Sequence, residues 1–132
     1  MCYKVVLADP AETGLLLEQR FDYIFMTGRR STGLVVAAAA ARHLTPITLQ
    51  MGGKCPVYVH TDSPIERVVK RLIVNKLNNL GQICLVPDYV LCTPETRDLI
   101  VPLFPKIIKE MYGENPQKSK DLGRILGKDN MK

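Results

Sequence analysis

The sequence predicts an α/β protein with a parallel sheet, and two features carry that prediction. Short apolar runs rich in β-branched residues alternate with longer stretches of helical spacing, the rhythm of strand, crossover helix and strand. The strand-like runs are also nearly continuous in apolar residues, as expected where helices cover a parallel sheet.

The elements follow in order. Lys4 to Ala8 reads as a strand, Pro10 to Arg20 as a helix with Leu15, Leu16 and Gln19 at helical spacing, and Asp22 to Thr27 as a second strand, together a β-α-β unit. A Gly-bounded loop after Gly28 leads into an alanine-rich helix from Thr32 to Leu44 and a strand from Pro46 to Gln50. The composition changes character at Gly52-Gly53, which divides the chain into residues 1–51 and 52–132. Pro56 to His60 opens the second half as a strand. Ser63-Pro64-Ile65-Glu66 predicts a capping box with proline at the first helical position, starting a helix through Asn79 with Val68, Leu72, Ile73 and Leu77 on its apolar face. Gly81 stops it. Asp88 to Cys92 is strand-like, and Thr93-Pro94 starts a last helix, ending near Gly113, that Pro102 and Pro105 should kink or split. The tail from Asn115 is polar.

At 132 residues, 46% of them hydrophobic and 23% charged, the chain is globular in composition, not disordered or fibrous. No apolar run approaches the roughly 20 residues that span a bilayer, and the start is too briefly apolar for a signal peptide, so the expected location is cytoplasmic. The net charge of +5 is spread along the chain, with one modest cluster at Lys118, Lys120, Arg124, Lys128 and Lys132. No aromatic-studded basic stripe accompanies it, which argues against a nucleic-acid partner. Cys2, Cys55, Cys84 and Cys92 match neither a redox pair nor a zinc frame. No metal site is expected, and each cysteine reads first as a small buried hydrophobe.

Two turns bear chemistry. Gly28-Arg29-Arg30-Ser31-Thr32-Gly33 lies between a strand and a helix, where free N–H groups can face a phosphate, although such turns are often mere punctuation. Gly81-Gln82-Ile83-Cys84 places a cysteine just past a helix end, where a thiolate is usable; core packing is the other reading. His43 and His60 are too far from Cys84 in sequence to form a dyad by inspection and read as surface or satisfied core residues.

The segments FDYIFMTG, AAAARHLTPITLQMGGKCPVYV, GQICLVPDYVLC and MYGENPQKSKDLGRI resemble the aldehyde dehydrogenase superfamily, most closely its class 3 branch. The resemblance runs from about Tyr3 to Ile125. It implies a partial Rossmann-type sheet followed by part of the α/β catalytic domain: residues 1–51 as the end of an NAD(P)-binding domain and 52–132 as the start of the catalytic one. Its implied activity is oxidation of a small-molecule aldehyde with NAD or NADP. Cys84 falls on the nucleophile, whose oxyanion is held by the cysteine N–H and an asparagine amide. Gly28 and Gly33 fall on the first and last glycines of the phosphate-side turn, and Gly52 on the segment beside the nicotinamide.

Two positions depart from the family pattern. Gln50 stands where the family has its general-base glutamate, and an amide has no oxygen of useful basicity. Arg29, Arg30 and Ser31 replace a small Ser-Thr-Gly set; the bulk of the two arginines is expected to obstruct a pyrophosphate, and their two cations to offset that in part by attracting it. The upstream asparagine and the arm through which family members form homo-oligomers have no counterpart here. Impaired turnover is therefore expected, the alternative being an inactive fragment that only associates with other subunits.

Overall fold

The computed structural model describes residues 3–127, so Cys2, Lys128 and Lys132 lie outside the described residues. The chain divides into two compact units, the first ending at Gly52 and the second beginning at Gly53.

In the first unit, helix α1 spans Pro10–Leu17, strand β1 Ile24–Thr27, helix α2 Arg30–Ala41 and strand β2 Ile47–Gln50. The start of α1 is fixed by a reciprocal capping box. The Asp9 carboxylate accepts from the Glu12 N–H at 2.8 Å, and the Glu12 carboxylate accepts from the Asp9 N–H at 2.8 Å. The helix closes before Arg20 because its last turn tightens, Glu18 N–H donating to the Leu15 carbonyl and Gln19 N–H to that of Leu16.

Strands β1 and β2 pair in parallel, from Ile24 opposite Ile47 to Thr27 opposite Gln50. Helix α2 is the crossover between them, burying Gly33, Val36, Ala39 and Ala40. Burial alternates along both strands, so within this chain one face of the sheet is covered, whereas continuous apolarity had predicted cover on both. The expected strand at Lys4 to Ala8 does not form. Residues 3–9 are irregular, and Leu7 is 94% exposed. β-branched content alone does not make a strand: a ladder partner must satisfy the backbone groups, and among the described residues this segment has none.

In the second unit, strand β3 spans Cys55–Tyr58, helix α3 Ile65–Leu77, strand β4 Pro87–Leu91, and helices α4 and α5 Pro94–Ile100 and Leu103–Tyr112. β3 and β4 are parallel with α3 as crossover, and the register slips between Cys55 and Pro56. Val59, Val69, Ile73, Ile100 and Ile107 form the core. Val69 is its most buried member and was not among the expected face residues. Ile73→Ala, which empties a site 2% exposed, is expected to cost about 2–5 kcal/mol; a shift of the chemical-denaturation midpoint at unchanged slope measures it.

The Ser63 box is absent. The backbone turns into α3 at Pro64 with no side-chain cap, and the Ser63 N–H donates to the His60 carbonyl at 3.1 Å. Thr93 does cap α4, its hydroxyl accepting from the Thr96 N–H. The chain breaks between α4 and α5 at Pro102, while Pro105 occupies the third position of α5. N–H groups in a first turn have no intrahelical acceptor, so proline is tolerated there and a split is cheaper than a kink.

Candidate active site

In the first unit the chemistry-bearing residues gather at the carboxyl end of the sheet. The Gly28 N–H donates to the Gln50 carbonyl at 3.0 Å, extending the β1–β2 ladder by one bond past Thr27. Gln50, whose side chain is exposed, therefore stands at the strand end beside the turn that feeds α2. An open hollow of about 500 Å³ lies here, lined by Gly28, Arg29, Arg30, Met51 and Gly52. This is where parallel α/β sheets place ligands, outside the carboxyl ends of adjacent strands.

Helix α2 begins at Arg30, two residues before the expected Thr32, and no side chain caps it. Two arginines thus sit at a helix start that favours negative charge. Gly33 is buried beneath the sheet side chains: an added Cβ would meet Met51 Sδ at 3.1 Å and Met26 Cε at 3.2 Å. Its lack of a side chain lets the helix lie close on the strands. A Cβ on Gly52 would meet nothing within 4 Å.

Cys84 belongs to the second unit, in the turn closed by the Val86 N–H donating to the Ile83 carbonyl at 3.3 Å. The backbone enters this turn through a 3-10 segment, Asn78–Gly81, in which Asn79 and Leu80 take left-handed angles. Gly81 has φ of +76°, and a Cβ there would come within 3.3 Å of the Lys76 carbonyl oxygen. A side chain there would be strained by the left-handed backbone and by the close carbonyl, which favours glycine. Helix α3 therefore ends at Leu77, and the reversal behind it delivers Cys84 to the loop ahead of β4.

Gln82 holds this loop. Its amide nitrogen donates to the Asn79 carbonyl at 2.7 Å and the Arg124 carbonyl at 3.1 Å, and its amide oxygen accepts from the Leu126 N–H at 2.9 Å. The Arg124 guanidinium in turn donates to the carbonyls of Leu122, Gly123 and Gln117. The polar tail is thereby tied to the cysteine loop. The sequence reading gave Gln82 no role; its one signal was an amide two residues before the candidate thiol. Gln82→Ala is expected to remove about 1 kcal/mol for each lost bond. Hydrogen exchange should speed up at the Leu126 amide and leave the amides of α5 unchanged.

Cys55, Cys84 and Cys92 are free and half-buried. Cys92 packs against the core. Cys55, at the first residue of β3, donates its S–H to the Cys84 carbonyl at 3.3 Å. Lys54 reaches Asp88 at 3.1 Å beside it. The histidines stand apart from both regions: exposed His60 pairs with Asp62 at 2.6 Å, and His43 Nε2 lies 3.2 Å from the Glu18 carbonyl. Of the expected site residues, Gly28, Gly33, Gln50 and Gly52 thus share the first unit, and Cys84 belongs to the second.

The fold and these turns define a parallel α/β protein with strand-end loops bearing the polar chemistry. The model of the aldehyde dehydrogenase family matches residues 2–132, and the chain belongs to that family. It is 51% identical over 125 residues to aldehyde dehydrogenase family 3 member B1 of Rattus norvegicus, covering 95% of this chain and 27% of that protein. It is 45% identical over 124 residues to the aldehyde dehydrogenase, dimeric NADP-preferring, of Canis lupus familiaris, covering 94% of this chain and 27% of the relative. The solved substrate-bound AldH of Staphylococcus aureus superposes with a TM-score of 0.83 at 38% identity, over 94% of this chain and 27% of that one. The chain thus spans about a quarter of the length of these relatives.

Proposed function

We propose that this chain carries the thiol and the base position of an NAD(P)-dependent aldehyde dehydrogenase, with Cys84 as nucleophile and Gln50 in place of the general base. The observation that supports this most is the Gly81–Cys84 loop, where a left-handed reversal presents a half-buried thiol in a turn of a chain belonging to this family.

The first-unit hollow suits the diphosphate of a dinucleotide. It combines an uncapped helix start with two guanidinium groups and two residues without side chains. Gly28 and Gly52 would line it, and Gly33 sets how closely α2 approaches. NAD and NADP present the same diphosphate to these residues. When bound, the nicotinamide supplies the two-electron acceptor.

The Cys84 thiolate forms a bond to the aldehyde carbon, and the carbonyl oxygen becomes an oxyanion. Oxidation of that carbon leaves a thioester on Cys84. Water must then attack the thioester, and it is a poor nucleophile until a base takes its proton. The Gln50 amide cannot take it. Acylation of Cys84 therefore outruns its release, and the chain itself is expected to give no sustained cofactor reduction with an aromatic or medium-chain aldehyde. A cytoplasmic setting accompanies this reading, because the thiol must remain reduced to act.

The test is competitive alkylation read by peptide mass. Iodoacetamide should modify Cys84 ahead of Cys92, and prior addition of the aldehyde should protect Cys84 alone. Equal rates at the two cysteines, or protection of neither, would contradict the assignment.

A further inference from the structure

Cys55 brings a second sulfur to the candidate nucleophile. Its Sγ lies 3.3 Å from the Cys84 carbonyl oxygen, and a Cβ built on Gly53 would meet that sulfur and that oxygen each at 3.7 Å. The three residues converge on one point of the second unit. By covalent geometry a carbonyl oxygen is about 2.4 Å from its own Cα, which puts the Cys55 sulfur within about 6 Å of the Cys84 Cα. With the Cys55 Cα about 2.8 Å beyond its own sulfur, the two Cα atoms are at most about 8.5 Å apart, against about 4.4–6.8 Å in bridged cysteines, so closing the bridge takes a shift of the Cys84 turn by up to about 2 Å. Cys84 stands in a turn next to Leu85, which is 76% exposed, and Cys55 stands at the register slip that opens β3. Cys92, by contrast, is packed among core side chains.

We propose that Cys55 and Cys84 are a dithiol pair that a hydroperoxide converts to a reversible disulfide, with Cys55 as the resolving thiol. The Cys84 thiolate attacks the peroxide, breaking the O–O bond and becoming a sulfenic acid while the other oxygen leaves as water or an alcohol. The Cys55 sulfur then displaces the sulfenic oxygen as water and forms the S–S bond. The two thiols together lose two protons and two electrons, and the peroxide gains them. A dithiol reductant reverses the change by thiol–disulfide exchange. The bond formation needs only the two sulfurs. Its consequence, closing the nucleophile to aldehydes and sparing it irreversible oxidation, rests on the proposed role of Cys84.

The experiment treats the reduced chain with limiting hydrogen peroxide and reads intact mass and a non-reducing peptide map. The expected result is the loss of two hydrogens, a single intrachain cross-link joining the Cys55 and Cys84 peptides, loss of Cys84 alkylation, and recovery of all three by dithiothreitol. Cys55→Ser should show no cross-link, its Cys84 becoming sulfenic acid with the first equivalent of peroxide and sulfinic acid when a second equivalent is added. If that variant fails to fold, the map of the unmodified sequence decides alone. Sulfinic Cys84 beside an intact Cys55 thiol, or a bridge only between chains or only to Cys92 or Cys2, overturns the proposal. A Cys55–Cys84 bridge in a chain whose Cys84 no aldehyde protects would uphold the pair and refute the nucleophile. Aldehyde protection without a bridge would do the reverse.

Discussion

A full-length aldehyde dehydrogenase carrying residues 3–127 of this chain in place of its own segment is expected to reduce cofactor once and then stop, and Gln50→Glu is expected to restart it. The first step needs a thiolate, an oxyanion site and an electron acceptor. The nucleophile is a thiolate, and forming it does not require the carboxylate that hydrolysis requires. The second step needs a proton acceptor for water, and positioned bases contribute roughly a hundred- to ten-thousandfold to such steps. Gln50→Glu should therefore raise steady turnover by about that factor and leave burst amplitude near one per site. The main-chain bond from the Gly28 N–H to the Gln50 carbonyl does not depend on the side chain, so the substitution keeps the strand end in place. Stopped-flow absorbance of the reduced cofactor separates the two phases. Equal steady rates for glutamine and glutamate would show that the amide is not what limits turnover.

Cys84→Ala in the same hybrid is expected to abolish the burst itself. Removing a covalent nucleophile costs on the order of a millionfold in other covalent enzymes, which takes the first turnover below detection. The fold should survive, because the side chain is half-buried in a turn and outside the core cluster. A burst of unchanged amplitude in Cys84→Ala would move the chemistry to another residue. Loss of the burst in Cys55→Ser would give that residue a part in catalysis, where the dithiol proposal predicts an unchanged burst.

The sequence disclosed the elements better than their limits. β1, β2 and α2 appear where apolar runs and the alanine-rich stretch placed them, because local pattern and tertiary packing agree there. Lys4 to Ala8 has the pattern and lacks the partner. At α3, Ser63 and Glu66 have the spacing of a capping box, but Pro64 turns the chain before Ser63 can reach a helical N–H. At α1 the box is made by a carboxylate pair, Asp9 and Glu12, in place of the hydroxyl and carboxylate expected of such a motif.

The site divides in the same way. Residue types and spacing made Gly28 to Gly33 and Cys84 candidates with ordinary alternatives beside them; the family resemblance gave each a role and made Gln50 informative. Cys55 and Gln82 could not be found by local reading. The partner of Cys55 lies 29 residues away, and of the three partners of Gln82 the two that tie the tail lie 42 and 44 residues away. Only the folded chain brings those atoms together.

The most direct test is the mass of the hybrid enzyme quenched after its first turnover. Trapped thioester is what a working thiol with a mute base must accumulate. The predicted result is one acyl group per chain, mapped to Cys84, persisting with glutamine at position 50 and discharged in Gln50→Glu. Steady turnover by the glutamine form with no adduct on Cys84 would contradict the account.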